Sequence, residues 1–166
     1  MTFNKKIFCV LLILLSIANV SAQKTPADKK LRAELVGVWH ASPFVGSGMN
    51  DNFQFFADGT FRFNFNWMIL SKRIVSQTGK WEISGGKLIL TITGKTEIVG
   101  GRKIKSELSA DGFEIEGGEL VESVIDPPVK QTKILSAVRQ DEIYKMISIG
   151  GVKYWRLSED PKAYEN

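Results

Sequence analysis

His40 is the one histidine of the 166-residue chain, so acid–base chemistry near neutral pH would have to begin there. It would need a nucleophile and an orienting carboxylate brought within reach, and no motif in the chain supplies them. His40 follows Trp39 directly. On a strand the two side chains point to opposite faces, which makes His40 a surface or rim imidazole. A lone histidine also gives no histidine-cluster metal site. Glu114, Glu116, Glu119 and Glu122 form an acidic stretch around Gly117-Gly118. Their spacing is not that of an EF-hand loop, and a solvated hairpin accounts for them. The Gly-Gly pairs at 85, 100, 117 and 150 lack the strand-to-helix setting of phosphate loops and read as turns. No catalytic residue, metal site or cofactor follows from these residues, and the chain reads as non-enzymatic.

The residue pattern that does point to a site is apolar. Phe61, Phe63, Phe65 and Trp67 alternate with Thr60, Arg62, Asn64 and Asn66, the period of a strand with one buried face. A short strand over 52–56 precedes it, and Ala57-Asp58-Gly59 suits a three-residue hairpin loop. That loop sets Phe55 opposite Phe61 and Phe53 opposite Phe63, so five phenylalanines share a face. Along 74–83, Val75, Gln77, Gly79, Trp81 and Ile83 alternate with polar residues and bring Trp81 to the same side. Phe53, Phe55, Phe61, Phe63, Phe65 and Trp81 are therefore the candidate ligand-binding set. A small barrel either fills its interior with such side chains or leaves a pocket for one small ligand, and the same alternation serves both.

These rings need elements to hold them. Lys5 and Lys6, the apolar run from 7 to 17 and Val20-Ser21-Ala22 read as a signal peptide cleaved after residue 22, the run being short for a bilayer span. Cys9 leaves with it, so the mature chain has no thiol chemistry and no transmembrane segment. The protein is expected to be exported, to the periplasm or beyond. The formal charge of +4 falls to +2 with the loss of the two lysines. Without a long basic run, nucleic acid is not an expected partner.

Residues 23–30 read as a flexible leader, 31–158 as one folded domain and 159–166 as a polar, fraying tail. Thr25 and Pro26 resemble a helix start, Leu31 and Leu35 give it a short apolar stripe, and Gly37 stops it. Short strands follow at hairpin spacing, with turns expected at Ser84-Gly85-Gly86, Gly94-Lys95, Gly100-Gly101, Ala110-Asp111-Gly112, Gly117-Gly118 and Gly150-Gly151. A strand over 119–125 is expected to end at Asp126-Pro127-Pro128, since no central strand holds two prolines. The fold class is all-β: a small up-and-down antiparallel β-barrel of about 8–10 strands with a short N-terminal helix.

Leu35-Val36-Gly37-Val38-Trp39, placed after a short helix and at the first strand, resembles the G-x-W opening of lipocalins and wider calycins. Tyr154-Trp155-Arg156-Leu157 resembles their last strand. Phe56-Ala57-Asp58-Gly59-Thr60-Phe61 and Gly79-Lys80-Trp81-Glu82-Ile83 resemble phrases of bacterial lipocalin-like domains. The resemblance implies that Gly37, Trp39 and Arg156 close the barrel base, the arginine lying over the tryptophan. It implies a binding protein whose partner is a small apolar ligand in the interior. The alternative is an envelope module with a filled barrel, no small-molecule ligand and a protein partner met by loops such as 42–51.

Overall fold

The computed structural model describes residues 25–42, 50–141 and 143–163. The expected signal segment with Cys9, and most of the 42–51 loop, lie outside the described residues. Among the described residues one helix, α1 (Pro26–Leu35), precedes nine strands: β1 (Gly37–His40), β2 (Asn52–Phe55), β3 (Thr60–Asn64), β4 (Ile74–Ser84), β5 (Lys87–Lys105), β6 (Phe113–Ile134), β7 (Arg139–Gln140), β8 (Lys145–Ile149) and β9 (Val152–Ser158). The strands form a single sheet in the order β6-β5-β4-β3-β2-β1-β9-β8-β7, and every pair is antiparallel. The aromatic hairpin has the register its turn requires, with Phe53 opposite Phe63 and Phe55 opposite Phe61. No helix among the described residues is long and apolar enough to cross a membrane.

The architecture is the expected antiparallel, all-β one, but the ladder does not close. Just past β6, an isolated bridge joins Leu135 to Ile149 of β8, the strand next to the other end of the ladder. Around it Gly150 N donates to Ile134 O at 2.8 Å, Ser136 N to Ser148 O at 3.0 Å, and Ser148 N to Ser136 Oγ at 2.9 Å. β8 has already turned at Gly150-Gly151 by this point, so among the described residues no strand pairs with the edge of β6 that faces away from β5.

Several expected turns are instead parts of long strands. Gly94 lies within β5, opposite Thr78 on one side and Val124 on the other. Gly100 faces Gly118 across the β5–β6 ribbon, so the two Gly-Gly pairs meet at one level. Gly100, Gly101 and Gly117 have φ of +69°, +67° and +70°, and a Cβ on Gly101 would stand 2.7 Å from Glu116 O. The four glycines sit within the ribbon without ending it, and the pairing keeps one register through them. Asp126-Pro127-Pro128 also lies inside a strand: the pairing passes from Ile92–Val129 to Gly94–Val124, leaving these residues in a bulge. Prolines are kept out of central strands by their missing amide hydrogen, and β6 is the end strand of the ladder.

The chain ends are better anchored than their composition suggests. Thr25 Oγ1 accepts from Asp28 N at 3.1 Å and Pro26 sits in the first turn, so residues 26–30 are helical and not a loose leader. Asp28 is buried, and its carboxylate accepts from Gly85 N at 3.2 Å and Gly86 N at 3.0 Å, tying α1 to the β4–β5 turn. At the other end Gln54 Nε2 donates to Pro161 O at 3.0 Å, so the described part of the tail crosses the outer face of the sheet. That face is accordingly not solvated at β1 and β2: Val38, Asn52, Gln54 and His40 are all buried. His40 is 0% exposed between Asn52 and Trp155, which corrects the expected rim imidazole.

Candidate functional site

The inner face of the sheet is sealed at one end and hollow above. Trp39 forms part of the seal: its Nε1 donates to Leu35 O at 2.8 Å, at the last turn of α1. The Arg156 guanidinium lies 5.8 Å from the Trp39 ring centroid, donates from Nη2 to Val36 O at 2.7 Å, and pairs through Nη1 with Glu159 at 3.2 Å. Gly37, at φ +130°, lets these chains approach, since a Cβ there would stand 2.4 Å from Ser158 O. A second cation–ring pair lies alongside. Arg32 of α1 stands 4.6 Å from the Trp81 ring and donates to Trp81 O at 3.4 Å and Ala57 O at 3.2 Å. Trp81 Nε1 donates to Phe56 O at 3.1 Å. The sequence signal for Arg32 was only its place in the last turn of an N-terminal helix.

Above this floor lies a cavity of about 280 Å³. Phe53, Phe61, Phe63, Phe65, Leu90, Ile149, Val152 and Tyr154 supply its apolar lining. The rings brace one another: Phe53 lies 4.4 Å from Phe63 and 5.3 Å from Tyr154, and Phe65 meets Phe63 edge-on at 4.8 Å. Four of the six candidate rings thus reach the cavity. Phe55 and Trp81 do not line it. Phe55 is 0% exposed, stacked at 5.1 Å on Phe53 and 5.0 Å from Trp81, and both belong to the floor. Alternation put all six on one face but could not rank them by depth.

Gln77, Gln131, Lys133 and Gly150 complete the lining. Gln77 stands on the inner face through the same alternation that brings in Trp81. Gln131 and Lys133 pair with Leu90 and Leu88 and so share their side of the sheet. Tyr154 is 5% exposed; burial first, and the Asp51 charge second, push its phenol up to about 12. It is therefore a neutral hydroxyl at any ordinary pH. Sequence reasoning missed Gln131, Lys133 and Tyr154, because a seam between strands distant in sequence carries no local signal.

Other features gather no comparable chemistry. A larger hollow of about 580 Å³ lies on the outer face among Arg62, Thr78, Thr96, Glu122 and Ser123, with no aromatic ring in its lining. Hydroxyls and charges of that kind are satisfied by water, so the smaller aromatic cavity is the better candidate. The acidic stretch is spread along the β5–β6 ribbon, with Glu116 engaged by Arg102 at 2.7 Å. Among the described residues no three histidine, cysteine, aspartate or glutamate side chains converge on a point.

No curated protein and no solved structure matches the chain. The lipocalin-like domain family matches residues 28–125, from the first turn of α1 into β6. That stretch is more than half of the chain and contains the helix plug, the opening tryptophan and the whole aromatic hairpin. The chain belongs to the lipocalin-like domain family.

Proposed function

We propose that this protein is an exported, non-catalytic binder of a small, largely apolar molecule, held inside the sheet. The observation that carries the reading is the cavity of about 280 Å³ walled by Phe53, Phe61, Phe63 and Phe65 above a floor packed solid by Phe55 and Trp81. Pre-formed concave sites with apolar walls and a few polar groups are the usual form of small-molecule sites. Membership of a family generally made of binding proteins supports it further. The expected export rests on Lys5, Lys6, the apolar run to residue 17 and Val20-Ser21-Ala22. The hollow speaks against the filled-barrel alternative.

Native mass spectrometry of the protein purified from its own host tests the reading. A retained small-molecule mass is expected, and it should be absent from Phe63→Trp, where the larger ring takes up the space. A mature protein that carries no adduct, and binds no added apolar dye, would overturn it.

A further inference from the structure

Away from the cavity, the β5–β6 ribbon leaves one long edge unpaired. From Phe113 to Val124 its outer strand pairs with β5 alone, and no strand lies on its other side among the described residues. Alternate residues of an antiparallel strand turn both backbone groups toward the same neighbour, so about half of the N–H and C=O groups of Glu114–Val124 point away from β5. No turn, loop or side-chain hydrogen bond among the described residues reaches this stretch of backbone. Long edges are ordinarily blunted by lysine, proline or a bulge. None of these occurs between Phe113 and Val124, and the bulge at Asp126-Pro127-Pro128 comes only afterwards. Leu120 is 67% exposed and Val124 82%, apolar surface that an added strand would cover.

The charge on this edge selects among occupants. Phe113 to Val129 holds Glu114, Glu116, Glu119, Glu122 and Asp126, and no lysine or arginine. The cations of β5 are mostly committed. Arg102 engages Glu116 at 2.7 Å, Lys95 pairs with Glu97 at 2.7 Å, and Lys103 lies 4.2 Å from the Phe113 ring; Lys105 stands opposite Phe113 at the tip. Glu114, Glu119 and Glu122 have no ion pair among the described residues. A second copy of β6 laid antiparallel about Gly118 would set Glu114 against Glu122, and like charges directly opposite destabilise a pair. A strand bearing lysine or arginine meets the same carboxylates favourably. Glu119 and Glu122 fall on opposite faces of the ribbon, the first with Val121 and the second with Leu120 and Val124. The complement is therefore a strand with a base and an apolar residue on each face.

We infer that the edge from Glu114 to Val124 docks an extended basic segment of a partner protein, added to the sheet as a further strand beside β6. Backbone hydrogen bonds supply the affinity in this mode of recognition, and Glu114, Glu119 and Glu122 select the charge. None of these residues lines the aromatic cavity, so the inference is independent of interior binding.

Nuclear magnetic resonance of the isotope-labelled mature protein with the capped peptide Lys-Lys-Val-Val-Lys-Lys-Val-Val tests it, since this order puts both residue types on each face. The same peptide with glutamate in place of lysine is the control. The basic peptide is expected to slow amide exchange at alternate residues from Glu114 to Val124, and to bind at least about tenfold tighter than the acidic one, the scale of two or three exposed ion pairs. Glu119→Lys combined with Glu122→Lys should reverse the order of the two peptides, an outcome that misfolding would not produce. Equal affinities, no binding of either peptide, protection confined to other strands, or a basic preference that survives the charge reversal would each overturn the inference. So would sedimentation equilibrium showing a dimer whose β6 amides are protected without peptide, which would give the edge to a second copy.

Discussion

Phe55 and Phe65 stand ten residues apart in one aromatic hairpin, yet removing their rings should have very different consequences. Phe55 is fully buried in the floor, stacked on Phe53 and against Trp81. Phe55→Ala removes a ring whose neighbours are themselves fixed, Trp81 by its bond to Phe56 O and by Arg32. The site cannot collapse, so both the transfer and cavity penalties apply, about 3–5 kcal/mol in all. Phe65 is half-buried and one side of it already faces the hollow. Phe65→Ala leaves no sealed void and loses only the transfer of its buried part, about 1 kcal/mol. Urea unfolding followed by tryptophan fluorescence should resolve the two. With a slope of ~2 kcal/mol per M, the midpoint should fall by roughly 2 M for Phe55→Ala and roughly 0.5 M for Phe65→Ala. Equal losses, or a larger loss at Phe65, would refute the division of the aromatic face into a solid floor and a hollow wall.

Three further outcomes follow from the same geometry. Gly79→Ala places a Cβ 2.0 Å from Thr91 O and 3.0 Å from Ile92 Cα, so backbone must move, and a stability loss of about 1–3 kcal/mol is expected; an unchanged urea midpoint would contradict this. The Gly86 and Gly85 N–H groups hold the Asp28 carboxyl below its usual range; because the folded value is lowered, the stability it contributes is present above the ordinary carboxylate pKa and lost as pH falls through the lowered one. Calorimetry across pH should therefore show Asp28→Asn less stable than wild type near neutrality, with the gap narrowing in acid; a gap independent of pH would argue against it. Burial and Asp51 raise Tyr154 from an ordinary 10.0 to about 12, so its neutral form stabilises the fold fully below pH 10 and that contribution is lost as pH rises through about 12. Ultraviolet titration should find a late-titrating phenol that Tyr154→Phe abolishes.

The parts of this fold legible in the sequence are those set by neighbours in the chain. Period-two alternation and the Ala57-Asp58-Gly59 loop were enough to give the register of β2 against β3. Thr25 and Pro26 marked the start of α1, but nothing local said that Asp28 would reach across to Gly85 and Gly86. Paired glycines were misleading because the same left-handed backbone is found both in a turn and within a paired ribbon. Gly100 could be told from a hairpin turn only by knowing that Gly118 faces it. For the site, alternation found the rings but not their depth. Lys133 and Tyr154 line one cavity only because β6 comes to the β8–β9 turn, a proximity made by tertiary structure.

A sheet left open has two raw margins, and one of them here is β6, the longest of the described strands. Pro127 and Pro128 sit part-way along it and offer no amide hydrogen at two successive positions. A stray strand trying to zip onto this border would lose its grip there, and the bulge would throw it out of step beyond. The double proline thus lets the chain keep an accessible interior without becoming a template for its own aggregation.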